Sequence, residues 1–210
     1  MPVDRQDIVE AALTEWERWG RQAWNLVTGA KRFGTRDDEP AFAQYVIDNY
    51  CAVVGDEPPL HAVQFDDYAW SAVGMSFFMK RAGLLKKEFP FSNRHADYIR
   101  HFVRARKKAD EAALYWGFRH DEAGSEPDVG DLVGYARGEG MTQARARGLF
   151  DATQGYASHT DLVVARRPGE IDVLGANVAD SVTLKTVPLN AAGRISDNQH
   201  FWFVVLKARF

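Results

Sequence analysis

At 210 residues the chain is long enough for one domain with a substantial core, and 26 basic against 29 acidic residues leave a formal net charge of -3. That balance gives no global reason to bind nucleic acid or an anionic lipid surface. A single cysteine, Cys51, excludes an internal disulfide and a thiolate metal cluster, and the six histidines show no His-Glu-x-x-His pattern, so neither a metal nor another cofactor is expected. The opening Met-Pro-Val-Asp-Arg-Gln-Asp lacks the basic and apolar regions of a secretory signal. Nowhere do about 18 uncharged apolar residues occur together, so no membrane span is expected. The reading is of a chain made in the cytoplasm, which would reach any target outside it by a non-Sec route.

In chain order, Ile8, Ala12, Trp16, Trp19, Ala23 and Val27 recur at intervals of three and four behind Asp4, which predicts a capped amphipathic helix with its tryptophans in the core. A polar loop over 29–40 follows, then a helix over 41–54 through Phe42, Tyr45, Val46 and Tyr50, with Cys51 as a small apolar residue. The break Gly55-Asp-Glu-Pro-Pro59 leads into the stretch from Asp66 to Gly83. There Ser71, Met75, Phe78 and Ala82 share one stripe, Asp66 or Asp67 is placed to cap, and Gly83 to terminate. Ser92 is read as the cap of the next helix, which carries His95, Tyr98, Ile99, Phe102 and Val103; its arginines and lysines are taken as a solvated face.

From about Asp128 the period changes to that of strands, over 129–136, 159–166, 171–175, 181–187 and 201–208, with a long excursion over 137–158 containing a short helix. The expected fold is therefore α+β, a single domain over 1–210 in which a helical N-terminal extension, 1–65, packs on a 66–210 core with a C-terminal antiparallel sheet. The turn Arg167-Pro-Gly-Glu170 makes a hairpin whose register matters. A two-residue loop puts Thr160 opposite Asn177, whereas one extra residue in a bulge puts His159 opposite Asn177. Asp161 shares a strand face with His159 and is the competing partner for its ring.

A serine at a helix head, a histidine at a strand start and an orienting amide or carboxylate are the ingredients of nucleophilic acyl transfer. Ser71 is the candidate nucleophile, His159 the general base, and Asn177 or Asp161 the orienting residue. Trp70 and His95 are candidates to line the substrate groove. Each has a plainer structural role open to it: a helix-start serine, a strand-end histidine, a turn asparagine.

The run Trp70-Ser-Ala-x-x-x-Ser76, then Gly130-Asp-Leu-Val, His159-x-Asp-Leu-Val-Val, Gly175-x-Asn-Val-x-Asp-Ser-Val182 and Trp202-Phe-x-Val-Leu resembles an uncharacterised bacterial family within reach of the CHAP and NlpC-type peptidases. The resemblance covers roughly 66–210. It implies a papain-like α+β fold and hydrolysis of peptidoglycan amide bonds, with Ser71 at the position of the nucleophilic cysteine, His159 at that of the histidine, and Asn177 at that of the asparagine. Gly175 stands where many CHAP domains have a glutamate. Peptidoglycan or a peptide fragment would be the substrate, and delivery as an antibacterial effector or a phage-associated protein would bring with it an immunity or delivery partner. The alternative is a papain-fold module that binds a cell-wall fragment, peptide or protein in the same groove without chemistry.

Overall fold

The computed structural model describes residues 3–65 and 67–210. The first helix, α1 (Arg5–Arg18), starts as its sequence dictates: Asp4 accepts from the Gln6 and Asp7 amides, and Asp7 accepts from the Asp4 amide in return. It ends earlier than the predicted helix through Val27. The chain reverses at Gly20 and Arg21, both left-handed (φ 75° and 60°), and residues Gln22–Asn25 become β1, followed by β2 (Lys31–Arg32). The apolar spacing through Ala23 was thus helical only up to the reversal, and beyond it belongs to a strand buried on one side.

The helix expected over 41–54 is continuous in course but not in pitch. It runs as α2 (Pro40–Tyr45), a π-helical turn at Val46–Tyr50 and a 3-10 turn at Cys51–Val53. A short α3 (Leu60–Gln64) occupies what reads in sequence as a linker. The serine helix, α4, spans Ser71–Arg81 with Trp70 at its N-cap position and no side-chain cap. Asp67 is exposed and not its cap, while Asp66 lies outside the described residues. Next comes α5 (His95–Lys107); Ser92 stands two residues before its N-cap, accepting from the Arg94 amide and donating to Asp97.

The remaining elements are β3 (Tyr115–Arg119), β4 (Leu132–Ala136), α6 (Gln143–Leu149), β5 (Ser158–Arg167), β6 (Glu170–Gly175), β7 (Thr183–Pro188) and β8 (Phe201–Ala208). All eight strands form one sheet in the order β2-β1-β7-β6-β5-β4-β8-β3. The fold is a mixed α/β one, and its sheet is wider than the C-terminal one expected. Residues within the supposed helical extension enter it, β1 pairing parallel to β7 from Gln22 opposite Thr183 to Asn25 opposite Thr186. The buried Gln22 amide secures that join by donating to the Val178 and Ala179 carbonyls and to Thr183 Oγ1. No helix among the described residues is long and apolar enough to cross a membrane.

Two apolar clusters form, and strand alternation sorts β5 between them. Leu162 belongs to the larger one, with Trp19, Trp70, Phe78, Phe89, Phe102, Leu174 and Val204. Val163 belongs to the smaller one with Val133, Tyr135, Val173, Trp202 and Val205.

The serine helix is held at both ends. At its head, Trp70 is fully buried, stacks on Trp19 with centroids 5.0 Å apart, and donates its Nε1–H to Asp37 at 2.6 Å. At its tail, Arg81 meets the fully buried carboxylate of Glu15 at 3.4 Å. That carboxylate also accepts from Tyr50 at 2.7 Å and Tyr45 at 3.1 Å, and Tyr50 in turn accepts from Trp19 Nε1 at 2.9 Å. Removing the acceptor strands the buried Tyr50 hydroxyl, and hydrogen bonds to a charged group contribute about 1.5–3 kcal/mol each. Glu15→Ala is therefore expected to destabilise the fold by about 3 kcal/mol in urea denaturation, with Glu15→Gln falling between it and the parent.

Candidate functional site

The site is assembled where α4, α5 and β5 meet. Ser76, one turn into α4, donates to the Ser92 carbonyl at 3.0 Å and accepts the Ser92 amide at 3.1 Å, which fixes the start of α5 against the serine helix. His95, the first residue of α5, consequently faces Ser71, the first residue of α4. Ser71 Oγ lies 2.7 Å from His95 Nε2. The other ring nitrogen, Nδ1, meets Thr160 Oγ1 at 2.9 Å and the Tyr98 hydroxyl, and those two hydroxyls are themselves 2.7 Å apart. The hydrogen-bond network is consistent with Nδ1 protonated and Nε2 free to accept from serine.

The ring that reaches Ser71 is thus not that of His159. Strand alternation explains why: Thr160, with Leu162, turns to the helices, while His159 and Asp161 turn with Val163. His159 Nε2 lies 3.1 Å from Asp161 Oδ1, and its Nδ1 has no hydrogen-bond partner among the described residues. The two imidazoles are in contact, their centroids 4.9 Å apart. Behind them the chain of polar groups continues, Asp161 Oδ2 pairing with Lys185 Nζ at 2.8 Å, and Lys185 standing 3.5 Å from the Tyr135 hydroxyl. Lys185 is fully buried, its ammonium 4.7 Å from the centre of the Tyr135 ring.

The predicted hairpin supplies the reason that Asn177 is absent from this set. Near the turn the strands pair as a two-residue loop requires, Arg167 opposite Glu170 and Ala165 opposite Asp172. A bulge then shifts the register, so that Val163 faces Val173 and Leu162 faces Leu174, as the second alternative requires. However, β6 stops at Gly175, and Asn177 lies beyond it with a left-handed φ of 53°. Of the two competing partners for His159, Asp161 is the one that touches it. Gly175 makes that contact possible, because a Cβ there would lie 2.1 Å from Asp161 Oδ1 and 2.9 Å from His159 Nε2. The carboxylate that touches His159 comes from the histidine's own strand.

Trp70 does not line a groove, being part of the core as described above. His95, expected only at the groove, is the direct partner of the serine. Tyr98, Thr160, Lys185 and Tyr135 were not singled out in sequence. Tyr98 follows His95 by three on one helix face, a legible pairing; Lys185, in a short strand among Leu184, Thr186 and Val187, carries no signal that separates it from a surface lysine.

Charge follows burial. Burial holds His95 well below the ordinary imidazole value, and the neighbouring His159 adds to the effect. Burial likewise lowers His159, to about 4, despite the opposing pull of Asp161. For Asp161, burial pushes the carboxyl up, but Lys185 and His159 together outweigh it and hold it well below the usual carboxylate range. Lys185 is pulled down by burial and more than restored by Asp161 and Tyr135. At neutral pH this cluster holds the ion pair Lys185–Asp161 and two neutral imidazoles. No group of three or more His, Cys, Asp or Glu side chains among the described residues is placed to hold a metal ion.

Ser71 and His95 form one wall of a cavity of about 300 Å³, lined also by Asn93, Arg94, Arg137, Tyr156 and Ser158. Both are almost buried, with 4% exposure each. No side chain caps α4, so its first-turn amides stand unclaimed by side chains at the Ser71 end. The arrangement can accept a proton from a serine hydroxyl, return it to a leaving group, and offer backbone donors to a developing negative charge.

Fold and site together define a mixed α/β protein with a buried Ser–His pair at the mouth of a polar cavity. The chain belongs to the family described as "Uncharacterized protein conserved in bacteria (DUF2272)", whose model matches residues 20–208. Neither the curated proteins nor the solved structures contain a significant match to it.

Two outcomes test the site's energetics. Gly175→Ala forces the Asp161 and His159 side chains apart and is expected to cost about 1–3 kcal/mol in denaturation, the usual penalty of overpacking. For His159, a folded pKa near 4 lies below an unfolded value of about 6.5, so between them the unfolded chain binds more protons and stability rises with pH. Lowering the pH from 7 to 5 should therefore remove about 2 kcal/mol through His159 alone, and more in the same direction through His95. Denaturation at the two pH values checks this, and His159→Gln should remove its share of the difference.

Proposed function

We propose that the chain is a papain-like hydrolase of peptidoglycan amide bonds, with Ser71 as nucleophile and His95 as its general base. The observation that carries the reading is the 2.7 Å contact between Ser71 Oγ and His95 Nε2 at the uncapped head of a helix, opening on a cavity. The papain-like assignment is supported by the order of parts: a nucleophile-bearing helix, then the antiparallel run β4, β5, β6 and β7, with a histidine at the start of the second of these strands.

In the proposed reaction Ser71 Oγ bonds to the amide carbonyl carbon while its proton passes to His95 Nε2. The carbonyl oxygen becomes an oxyanion facing the first-turn amides of α4. The C–N bond then breaks, with the proton on His95 going to the departing amine, and a water molecule repeats the sequence on the acyl-serine, releasing the acid. Thr160 and Tyr98 fix the ring's orientation through Nδ1. His159, backed by Asp161 and Lys185, packs against the base and has no direct contact with the serine.

A second reading, a binding module without chemistry, is favoured by one observation: the partners of His95 Nδ1 are neutral hydroxyls, which stabilise an imidazolium less than a carboxylate does. The two readings diverge on purified peptidoglycan, with new amino groups followed by mass spectrometry. The hydrolase releases them, Ser71→Ala abolishes the release, and His95→Ala lowers the rate by about 10²–10⁴-fold. Ser71→Cys should retain activity or gain reactivity toward thiol reagents. Release unaffected by Ser71→Ala rejects the nucleophile, and a larger loss in His159→Ala than in His95→Ala returns the base role to His159. Binding with no release by the parent supports the module.

A further inference from the structure

The cavity beside Ser71 has a composition that the acyl-transfer reading does not use. Two guanidinium groups, Arg94 and Arg137, line it, and among the described residues no Asp or Glu does. Both arginines are exposed, and among the described residues neither has a carboxylate partner for its side chain. Two acids of the same region are committed elsewhere. Asp56 accepts from Tyr68 at 2.6 Å and Asn93 at 2.8 Å, while Asp97 accepts from Ser92 at 2.7 Å and faces Arg100.

An independent feature points the same way. The Tyr156 hydroxyl and Ser158 Oγ, from the segment that follows α6, are both buried and have no hydrogen-bond partner among the described residues. A buried hydroxyl without an acceptor costs about 1–3 kcal/mol, so a ligand oxygen arriving there is favoured. The cavity lining thus includes two cations and two residues with unclaimed hydroxyls, together with the Ser71–His95 pair.

We infer that Arg94, Arg137, Tyr156 and Ser158 form a carboxylate-binding subsite beside Ser71, which selects peptide ligands carrying a free carboxyl group close to the bond presented to the serine. The guanidinium fork matches the planar, two-oxygen geometry of a carboxylate; a neutral amide offers it one uncharged acceptor in place of two charged ones, and a cation is repelled. The inference rests on the hydrolase reading for the identity of the bond, but the selectivity itself concerns binding.

The experiment uses the full chain and its Ser71→Ala variant, with soluble muropeptides released from peptidoglycan by a muramidase. One portion keeps its carboxyl groups, another has them converted to primary amides, and inorganic phosphate is the competing anion. The carboxyl form is expected to bind at least tenfold more tightly than the amidated form. Arg137→Gln and Arg94→Gln should each remove most of that preference, Arg137→Lys should keep part of it, and phosphate should compete only weakly. Because both arginines are exposed, the thermal midpoints of these variants should match the parent's. Equal binding of the two forms, or binding of neither, overturns the subsite; competition by phosphate as effective as by the muropeptides overturns its assignment to a carboxylate. Selectivity without release of amino groups leaves the subsite standing and removes the hydrolase reading, whereas release from both forms at equal rates removes the subsite and leaves the hydrolase.

Discussion

The polar interior of this protein is organised by the alternation of side chains along β5. Thr160 turns toward the helices and, with Tyr98, takes one nitrogen of His95, which leaves the other for Ser71. The residues on either side of it, His159 and Asp161, turn with Val163 and join Lys185 and Tyr135. One strand therefore supports two polar systems of different character, a neutral chain of hydroxyls and imidazole on one side and a buried ion pair on the other. The contact between the two imidazoles is where they meet.

The energetic demands of the two systems differ accordingly. The Lys185–Asp161 pair is fully buried, and a buried pair offsets its own desolvation only when both charges find good partners. Here His159 and Tyr135 complete it, and Gly175 provides the space in which the carboxylate sits. On the helix side the hydrogen-bond partners of His95 are neutral hydroxyls, and burial keeps the ring neutral and its Nε2 available as an acceptor. The neighbouring His159 works in the same direction, since a proton on either ring disfavours one on the other.

Much of the framework was legible in the chain. The Asp4 cap, the serine helix, the excursion with a short helix over 137–158 and the strand at 201–208 all follow from local chemistry, whereas the β5–β6 hairpin offered two registers and the structure uses both, one on each side of a bulge between Val163 and Ala165. What was not legible depends on contacts distant in sequence. The reversal at Gly20 and Arg21 turns an apolar pattern from helix to strand because Gln22 finds acceptors about 156 residues away. The partner of Ser71 is legible only once Ser76 and Ser92 are known to join the two helices, since nothing in the spacing of Ser71 and His95 shows that their helix heads meet. His159 and Asp161 were recognisable as a pair from their shared face, but the end of β6 before Asn177 was not, because the left-handed turn through Asn177, Ala179 and Asp180 uses residues other than glycine.

The two anchors of α4 carry a consequence for how a ligand would be received. With Trp70 tied to Asp37 and Trp19 at one end and Arg81 tied to Glu15 at the other, the serine hydroxyl occupies its place before anything enters the cavity. The ordering entropy of that wall has been met in folding, so it is not charged against binding. The rest of the lining includes Arg137 and Tyr156, from the long connection between β4 and β5, and Ser158, the first residue of β5, whose side chains make no hydrogen bond among the described residues. The nucleophile's position is thus set by the fold itself, and a ligand has only to bring its own groups to the arginine, tyrosine and serine side chains around it.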